Sequence, residues 1–521
     1  MKKRLFLGID ASTQSMSAVV IDCENPKNVF SLSVNFDENF PEYKTSSGVC
    51  TDKENPTQVW SYPLMWVDAL ELLMHKLSEN IDVSCIAGIG GAGQQHASVW
   101  LNSVDVFENL KNVQKGKLSS ILKQSLSSER APVWLDTSTS QECEEIASIV
   151  GDNNVLQKSG SVQTERFTGA QIRKIFKKNR DVYERTRRIH LNSSFICSIL
   201  SHNDAPLDYG DASGMNLMSM PDFTWDCQLL EATAPNLKIK LPLISKSMRL
   251  VGPIGEYFVK NYGFNSKAKV FVFSGDNPSS LVGCGASSGG SAVVSLGTSD
   301  TFFCANNAYF PIDCAHIFGN PAGSFMNLTC FRNGSLAREA LKRELGISWQ
   351  TFDSSFDGYI PTQTDKIILP YYFDEISPKI KSDKIRCIGF ERTNLDVLEI
   401  VRLFIEGQFF NMRLQADELK AKVENILLTG GASKSSAMAQ CVANVFNSNV
   451  YTSVRSENSS ALGGALTAAV MSGEGSLKSL SEIFNERKLV ASPQSEAVSF
   501  YKNKIITFAR ARENLIKGNC I

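Results

Sequence analysis

The sequence predicts an α/β protein made of two duplicated domains, and three observations carry that expectation. Two short polar turns, each set between apolar β-branched runs, stand far apart in the chain. Strand-like and helix-like segments alternate around them, the pattern of α/β folds. With 521 residues, 43% of them hydrophobic, the chain can bury more than one core.

The first turn lies in "RLFLGIDASTQSMSAVVID", an apolar strand, a polar turn from Asp10 to Ser15, and a second strand with Ala18, Val19, Val20 and Ile21. The second lies in "GSAVVSLGTSDTFF", Gly290 to Phe303, with an acid beside it. Superposed, Thr13 meets Thr298, Ser12 meets Gly297 and Gln14 meets Ser299. A repeat this long implies two similar domains rather than a solenoid.

Between the turns, "NPTQVWSYPLMWVDALELLMHKL" predicts an amphipathic helix with Trp66, Leu70, Leu73 and Leu77 on one face. "SCIAGIGGAGQQHASVW" predicts strand, glycine turn, strand; "KAKVFVFSGDNPSSLVGCGA" predicts strand, acidic turn, helix. Later, "ENILLTGGASKSSAMAQCVANVF" reads as buried strand, glycine turn and helix, and "SSALGGALTAAV" as a small-residue helix. The Gly/Ser composition of "GASSGG" places the boundary near Ala286 to Gly289, giving domains 1–286 and 287–521. Residues 115–130 and 362–384 read as surface insertions.

Composition excludes several classes of partner. Lys and Arg number 53 against 54 Asp and Glu, a formal net charge of −1, so no global basic field draws the chain to nucleic acid or anionic lipid. The apolar run of "MKKRLFLGID" is too short for a signal-peptide core, and no run reaches bilayer length. Thirteen cysteines without a C-x-x-C pair fit reduced thiols. A cytoplasmic protein with a small-molecule partner is expected, as monomer or homodimer. The arginines of "RDVYERTRRIH" read as a solvated helix face.

Hydroxyls and backbone amides at a glycine turn make a concave anion site. Two such turns could grip a nucleotide triphosphate without a Walker loop, and G-x-x-x-x-G-K-[ST] does not occur. Phosphoryl transfer then needs a base for the attacking hydroxyl. Asp276, in "VFSGDNPSS", sits where a strand meets a helix; alone it reads as an N-cap, but with the two turns and the adjacent Asn277 it reads as the base. Asp10 is equally a turn cap or a ligand to hydrated Mg²⁺. Gln94, Gln95 and His96 together suit a polyhydroxylated molecule. Gly88–Gly93 satisfies G-x-G-x-x-G, but alternating Ala97, Val99 and Leu101 predict a strand where a dinucleotide site needs a helix. Gly430 and Gly431 either cap a strand or let a flat adenine approach the backbone.

The ordered series "GAGQQH", "VWLDTSTSQEC", "ERFTGAQIRKI", "SGDNP", "VSLGTSDT", "FRNGSLAREA", "EGQFFNMR" and "TGGAS" resembles the FGGY carbohydrate kinases, and within them the eukaryotic branch acting on D-xylulose. The resemblance spans nearly the whole chain. It implies the two-domain architecture of actin, hexokinase and the Hsp70 ATPase (ribonuclease H-like), with an interdomain cleft, and ATP- and Mg²⁺-dependent phosphorylation of D-xylulose at O5. By that resemblance Asp276 is the general base; Gln95, His96, Arg166 and Asn277 contact sugar. Asp10, Ser12, Thr13, Gly297 and Thr298 form the phosphate turns, with Asp10 toward the metal, and Trp349, Gly431, Ala432 and Ser435 lie by the nucleotide. Ser12 and Ser435 depart from the family's usual Gly and Asn, so the first loop is expected to have less backbone freedom. The rivals are a kinase of another ketose or polyol, such as ribulose or glycerol, and a non-catalytic nucleotide- or sugar-binding protein of the same fold.

Overall fold

Two sheets with the same strand plan organise the computed structural model, which describes residues 3–113, 115–357, 366–392, 395–453 and 458–518. The first runs in the order Leu250–Pro253, Lys269–Phe271, Ile86–Gly93, Leu5–Ala11, Ser15–Asp22, Val29–Asn35, with Ser274–Gly275 also beside Ile86–Gly93. The second runs His316–Gly319, Phe325–Phe331, Asp300–Asn306, Gly290–Leu296, Val423–Thr429, Asn449–Ser453, Arg487–Ala491. In each sheet a hairpin of two antiparallel strands brackets one polar turn. The first strand of each hairpin then pairs in parallel with a distant strand, Ile86–Gly93 or Val423–Thr429. A further parallel strand and an antiparallel edge strand follow in both. The duplication read from two turns therefore extends through six strands of each sheet.

The chain forms two compact units: Met1–Ser287 with Ile317–Met326 and Asn458–Phe484, and Ser288–His316 with Asn327–Glu457 and Asn485–Ile521. The first change of unit falls at Ser287, close to the Gly/Ser segment, but a single cut does not describe the division. The small-residue helix Ser459–Met471 belongs to the first unit although it follows strand Asn449–Ser453 of the second. Close backbone approach explains its composition. A Cβ on Gly8 would stand 1.8 Å from the Ala461 carbonyl oxygen, one on Gly90 2.3 Å from that of Gly464, and one on Gly283 1.8 Å from that of Ser459. The G-x-G-x-x-G stretch, expected as a glycine turn, is instead strand throughout, and the strand expected after it stands at Ser98–Leu101; at Gly90 a glycine is needed so that a helix can lie against the sheet.

The amphipathic helix begins only at Pro63, which sets its first turn, and runs to Asn80; Trp66, Leu70, Leu73 and Leu77 are all buried. Neither expected surface insertion is wholly surface. Leu118 and Leu122 enter the core of the first unit, and Ile367, Ile368, Leu369, Tyr371 and Ile380 that of the second. The polar residues around Ile367–Leu369 hid a three-residue strand too short to show a period. Thr362 to Thr364 and Asp365 lie outside the described residues. In the arginine-rich stretch Arg180 pairs with Glu184 on the surface, but Arg188 is mostly buried against Asp204. No helix among the described residues is long and apolar enough to cross a membrane.

Candidate active site

In open sheets, ligands collect beyond the carboxyl ends of parallel strands. In the first unit three such ends coincide. Strand Leu5–Ala11 pairs Asp10 with Ala92 and Ala11 with Gly93, while Gly275 also pairs with Gly93. Sheet register alone therefore brings Asp10, the Gln94-Gln95-His96 run and Asp276 to one edge.

Asp276 is the first residue of helix Asp276–Gly283, and Gly275 holds the cap position without a side-chain cap bond. Its Oδ1 accepts from the neighbouring Asn277 amide at 2.8 Å and from Asn277 Nδ2 at 3.1 Å. Capping carboxylates instead accept from amides two or three residues on, so the N-cap reading does not describe this side chain. Burial, and next the Asp10 carboxylate, push its pKa up to about 7, with the amides of Asn277 and Gln95 pulling the other way. A carboxylate so placed is poised to accept a proton near neutral pH.

Asp10 has its pKa raised to about 6 by burial, opposed by Ser12, whose hydroxyl donates to Oδ2 at 2.5 Å. Its Oδ1 is buried without a hydrogen-bond partner. The backbone at Ser12 is not among those with positive φ, and its amide donates to the Ser15 carbonyl at 3.0 Å, so the turn closes without glycine. The Thr13 hydroxyl accepts from Trp134 Nε1 at 2.9 Å and lies 3.4 Å from Gln94 Oε1.

His96 adopts the left-handed region, φ 71°, uncommon for a side-chain-bearing residue. Three neighbours hold it there. Nδ1 lies 2.7 Å from the Gly214 carbonyl oxygen, the ring stacks on Phe167 at 4.5 Å, and Thr168 Oγ1 donates to the His96 carbonyl. Since a carbonyl only accepts, Nδ1 carries the proton, and in the neutral ring Nε2 is the acceptor. Gln95 Nε2 donates to the Gly210 carbonyl at 3.4 Å, and Gln95 Oε1 accepts from Asn277 Nδ2 at 3.0 Å. Arg166, partly buried, directly precedes Phe167.

Sequence reading missed the short helix Tyr209–Ser213, where the carbonyls of Gly210 and of Gly214 at its end orient Gln95 and His96. Asp208 caps that helix, accepting from the Asp211 amide at 2.7 Å and from Ser247 Oγ at 2.5 Å. Asp211 is buried, bonded to Ser193 Oγ, and its pKa is pushed well up by burial and then by the charges of Asp208 and Asp276. The signal in the sequence was faint: "GDASGM" holds an acid and two glycines with no periodic flank. Trp134 was equally hidden in "VWLDTS".

In the second unit the parallel pair Gly290–Leu296 and Val423–Thr429 matches Ser295 with Thr429, so the Gly297-Thr298 turn and Gly430-Gly431 emerge together. Gly430 has φ 85°, and a Cβ there would stand 2.5 Å from the Leu296 carbonyl oxygen; Gly431 faces open space. Gly431 and Ala432 begin a short 3₁₀ turn, and Ser435 caps helix Ser436–Phe446 at the Met438 amide. Ser435 Oγ also donates to Asp353 Oδ1 at 2.6 Å, tying this turn to helix Trp349–Asp353. Trp349, 42% exposed, lies beneath Lys342 Nζ at 5.3 Å and presents a broad apolar face.

Comparison with known proteins gives the chain's family and fold. Residues 123–283 match the N-terminal domain of the FGGY family of carbohydrate kinases and residues 292–472 its C-terminal domain. The chain is similar to the xylulose kinase of Rattus norvegicus, 36% identical over 99% of this chain and 97% of that one. It is also similar to xylulose kinase 2 of Arabidopsis thaliana, 37% identical over 89% and 87%. In fold it matches a xyloylose kinase from Brucella ovis, with TM-score 0.82 at 19% identity, covering 99% of this chain and 100% of that one.

Proposed function

Because this chain belongs to the FGGY family of carbohydrate kinases, we propose that it transfers the γ-phosphoryl group of ATP to the 5-hydroxyl of D-xylulose, giving D-xylulose 5-phosphate and ADP. The observation that carries the chemistry is Asp276, a carboxylate with its pKa raised to about 7, at a strand edge shared with His96 and Asn277. The choice of sugar rests on the rat and Arabidopsis relatives.

Asp276 accepts the proton of the attacking hydroxyl as the oxygen–phosphorus bond forms. Its Oδ1 takes both Asn277 donors, and the Gln95 amide also reaches the carboxylate. His96, held by Gly214 and stacked on Phe167, together with Arg166 and Gln95, forms the sugar-binding group. Turns of this kind position phosphates through backbone amides, and positioning with charge stabilisation accounts for most of phosphoryl-transfer catalysis. In the second unit the Gly297-Thr298 turn, the open approach at Gly431 and Ala432, and Trp349 support nucleotide binding, with Ser435 maintaining that turn.

Mg²⁺ fits the Asp10 carboxylate, whose Oδ1 is buried and unpartnered. Among the described residues no group of three or more His, Cys, Asp and Glu side chains could hold a metal. That suits an ion that takes few protein ligands and completes its shell with phosphate and water. Bound there, it would neutralise charge on the phosphates.

The test is ADP formation from Mg·ATP with D-xylulose, D-ribulose, glycerol or no sugar. Release that depends on D-xylulose is expected; equal release with glycerol, or nucleotide binding without any sugar-dependent turnover, would overturn the assignment.

A further inference from the structure

The acid beside the second turn has a partner that the proposed chemistry does not use. Asp300 and Arg338 form a buried bidentate pair, Nη1 to Oδ2 at 2.7 Å and Nη2 to Oδ1 at 2.8 Å, with side chains 2% and 1% exposed. Arg338 lies one turn into helix Ser335–Leu345. Its Nη2 also donates to Ser335 Oγ at 2.9 Å and its Nη1 to Gln408 Oε1 at 3.2 Å. Gln408 Nε2 in turn donates to the Asn333 carbonyl at 2.6 Å.

These bonds converge on the turn. The Ser335 amide donates to the Gly297 carbonyl at 3.0 Å, the Leu336 amide reaches the Thr298 carbonyl at 3.5 Å, and the Gly297 amide helps hold the Asp300 carboxylate. The helix therefore spends its first amides on the turn's carbonyls. Gly334 permits this approach, because a Cβ there would lie 2.6 Å from the Asp300 amide. Two ions taken from water need extensive hydrogen bonding to persist, and here both terminal nitrogens of Arg338 are engaged while its Nε is buried without a partner; an apolar pair of similar size would serve mere packing as well or better. What an apolar pair lacks is direction: a guanidinium fork fixes the angle of the carboxylate it grips.

We propose that Asp300 and Arg338 are positioning residues for the nucleotide's phosphates, acting by locking the Gly297-Thr298 turn onto the start of helix Ser335–Leu345. This rests on the reading of that turn as a phosphate turn. The geometry asks for a fork, so a lysine should not replace it fully.

Arg338→Lys keeps the charge and loses the second hydrogen bond. It should raise KM for Mg·ATP and weaken ADP binding by about tenfold or more, while KM for sugar stays within about twofold. Asp300→Asn should do the same. Since either variant leaves a buried group poorly paired, thermal melting is followed in parallel, and the double variant Asp300→Leu/Arg338→Met supplies a core without ions. That double variant should melt cooperatively yet bind ADP as weakly as the single variants. ADP binding measured calorimetrically without sugar separates this proposal from the sugar assignment: a wild-type protein that binds ADP but turns over no sugar sinks only the latter. Wild-type ADP affinity in a cooperatively folded Arg338→Lys or double variant overturns the proposal, as does a rise in sugar KM equal to that for ATP, or no ADP binding by wild type.

Discussion

Asp276 differs from most surface acids in that two effects of the same sign, burial and the Asp10 charge, raise its pKa to about 7. Asp276→Asn should retain the fold and lose about 10²–10⁴-fold in kcat, measured by coupled ADP release. The base works deprotonated, so turnover should climb with pH and level off above about 7; a plateau already reached near pH 5, where an ordinary carboxylate is ionised, would point to another base. Stability carries the opposite sign. The folded pKa stands above the ordinary value near 3.8, so the folded state holds the extra proton between those values and loses stability as pH rises through them. Asp276→Asn should therefore melt higher than wild type at pH 8, with the gap closing toward pH 4. At this scale Asp276, Asn277 and His96 stood out as candidates because glycine turns and clustered polar side chains interrupt apolar runs. Asp211 and Arg338 were not, because a buried polar residue looks like a surface one until its partner is known.

Elements were legible wherever burial imposed a period. Helix Pro63–Asn80 keeps the expected apolar face but starts only after strand Val59–Ser61, strand Val423–Thr429 stands where the apolar pattern puts it, and the strand Ile367–Leu369 was too brief to signal itself. The glycines of Ile86–Gly93 show a different limit. Their pattern ruled out a nucleotide loop, yet the reason for them lies in helix Ser459–Met471, which reaches the sheet from far along the chain. That helix also touches the element bearing the base: Ser460 Oγ donates to the Asp276 carbonyl at 3.1 Å and Ser279 Oγ to the Ser460 carbonyl at 2.8 Å. A Cβ on Gly463 would stand 2.0 Å from the Ser279 carbonyl oxygen. Gly463→Ala must push the two helices apart and should cost about 1–3 kcal/mol, read from denaturant unfolding, together with a fall in kcat as Asp276 shifts. Gly289→Ala, with nothing within 4 Å of the added atom, is the matched substitution and should leave both unchanged.

For the molecule as a whole, the alternation of strands and helices and the repeated turn disclosed the fold class and its duplication. They did not disclose that the units interleave, because the returning segment carries no mark of its destination. Ala461, Leu462, Ala465, Leu466, Leu477 and Phe484 complete a core begun by Phe6, Val19, Ile21, Phe271 and Val282. A chain ending at Ser287 should therefore show no cooperative melt by circular dichroism. Residues 1–287 co-expressed with a peptide of residues 458–484 should regain at least part of it; a cooperative melt from the shorter chain alone would refute the dependence. The same interleaving bears on synthesis. The ribosome delivers Ser287 and Phe484 roughly ten to forty seconds apart, at about 5–20 residues per second. Throughout that interval the half made first waits with an apolar face open, so the usual order, in which the leading domain is finished before the next begins, does not apply. Nascent chains arrested near residue 450 should be cut by protease within their first 287 residues, and full-length chains should resist, which makes the newborn protein a candidate client for chaperones that shield exposed apolar surface until the last eighth of the chain arrives.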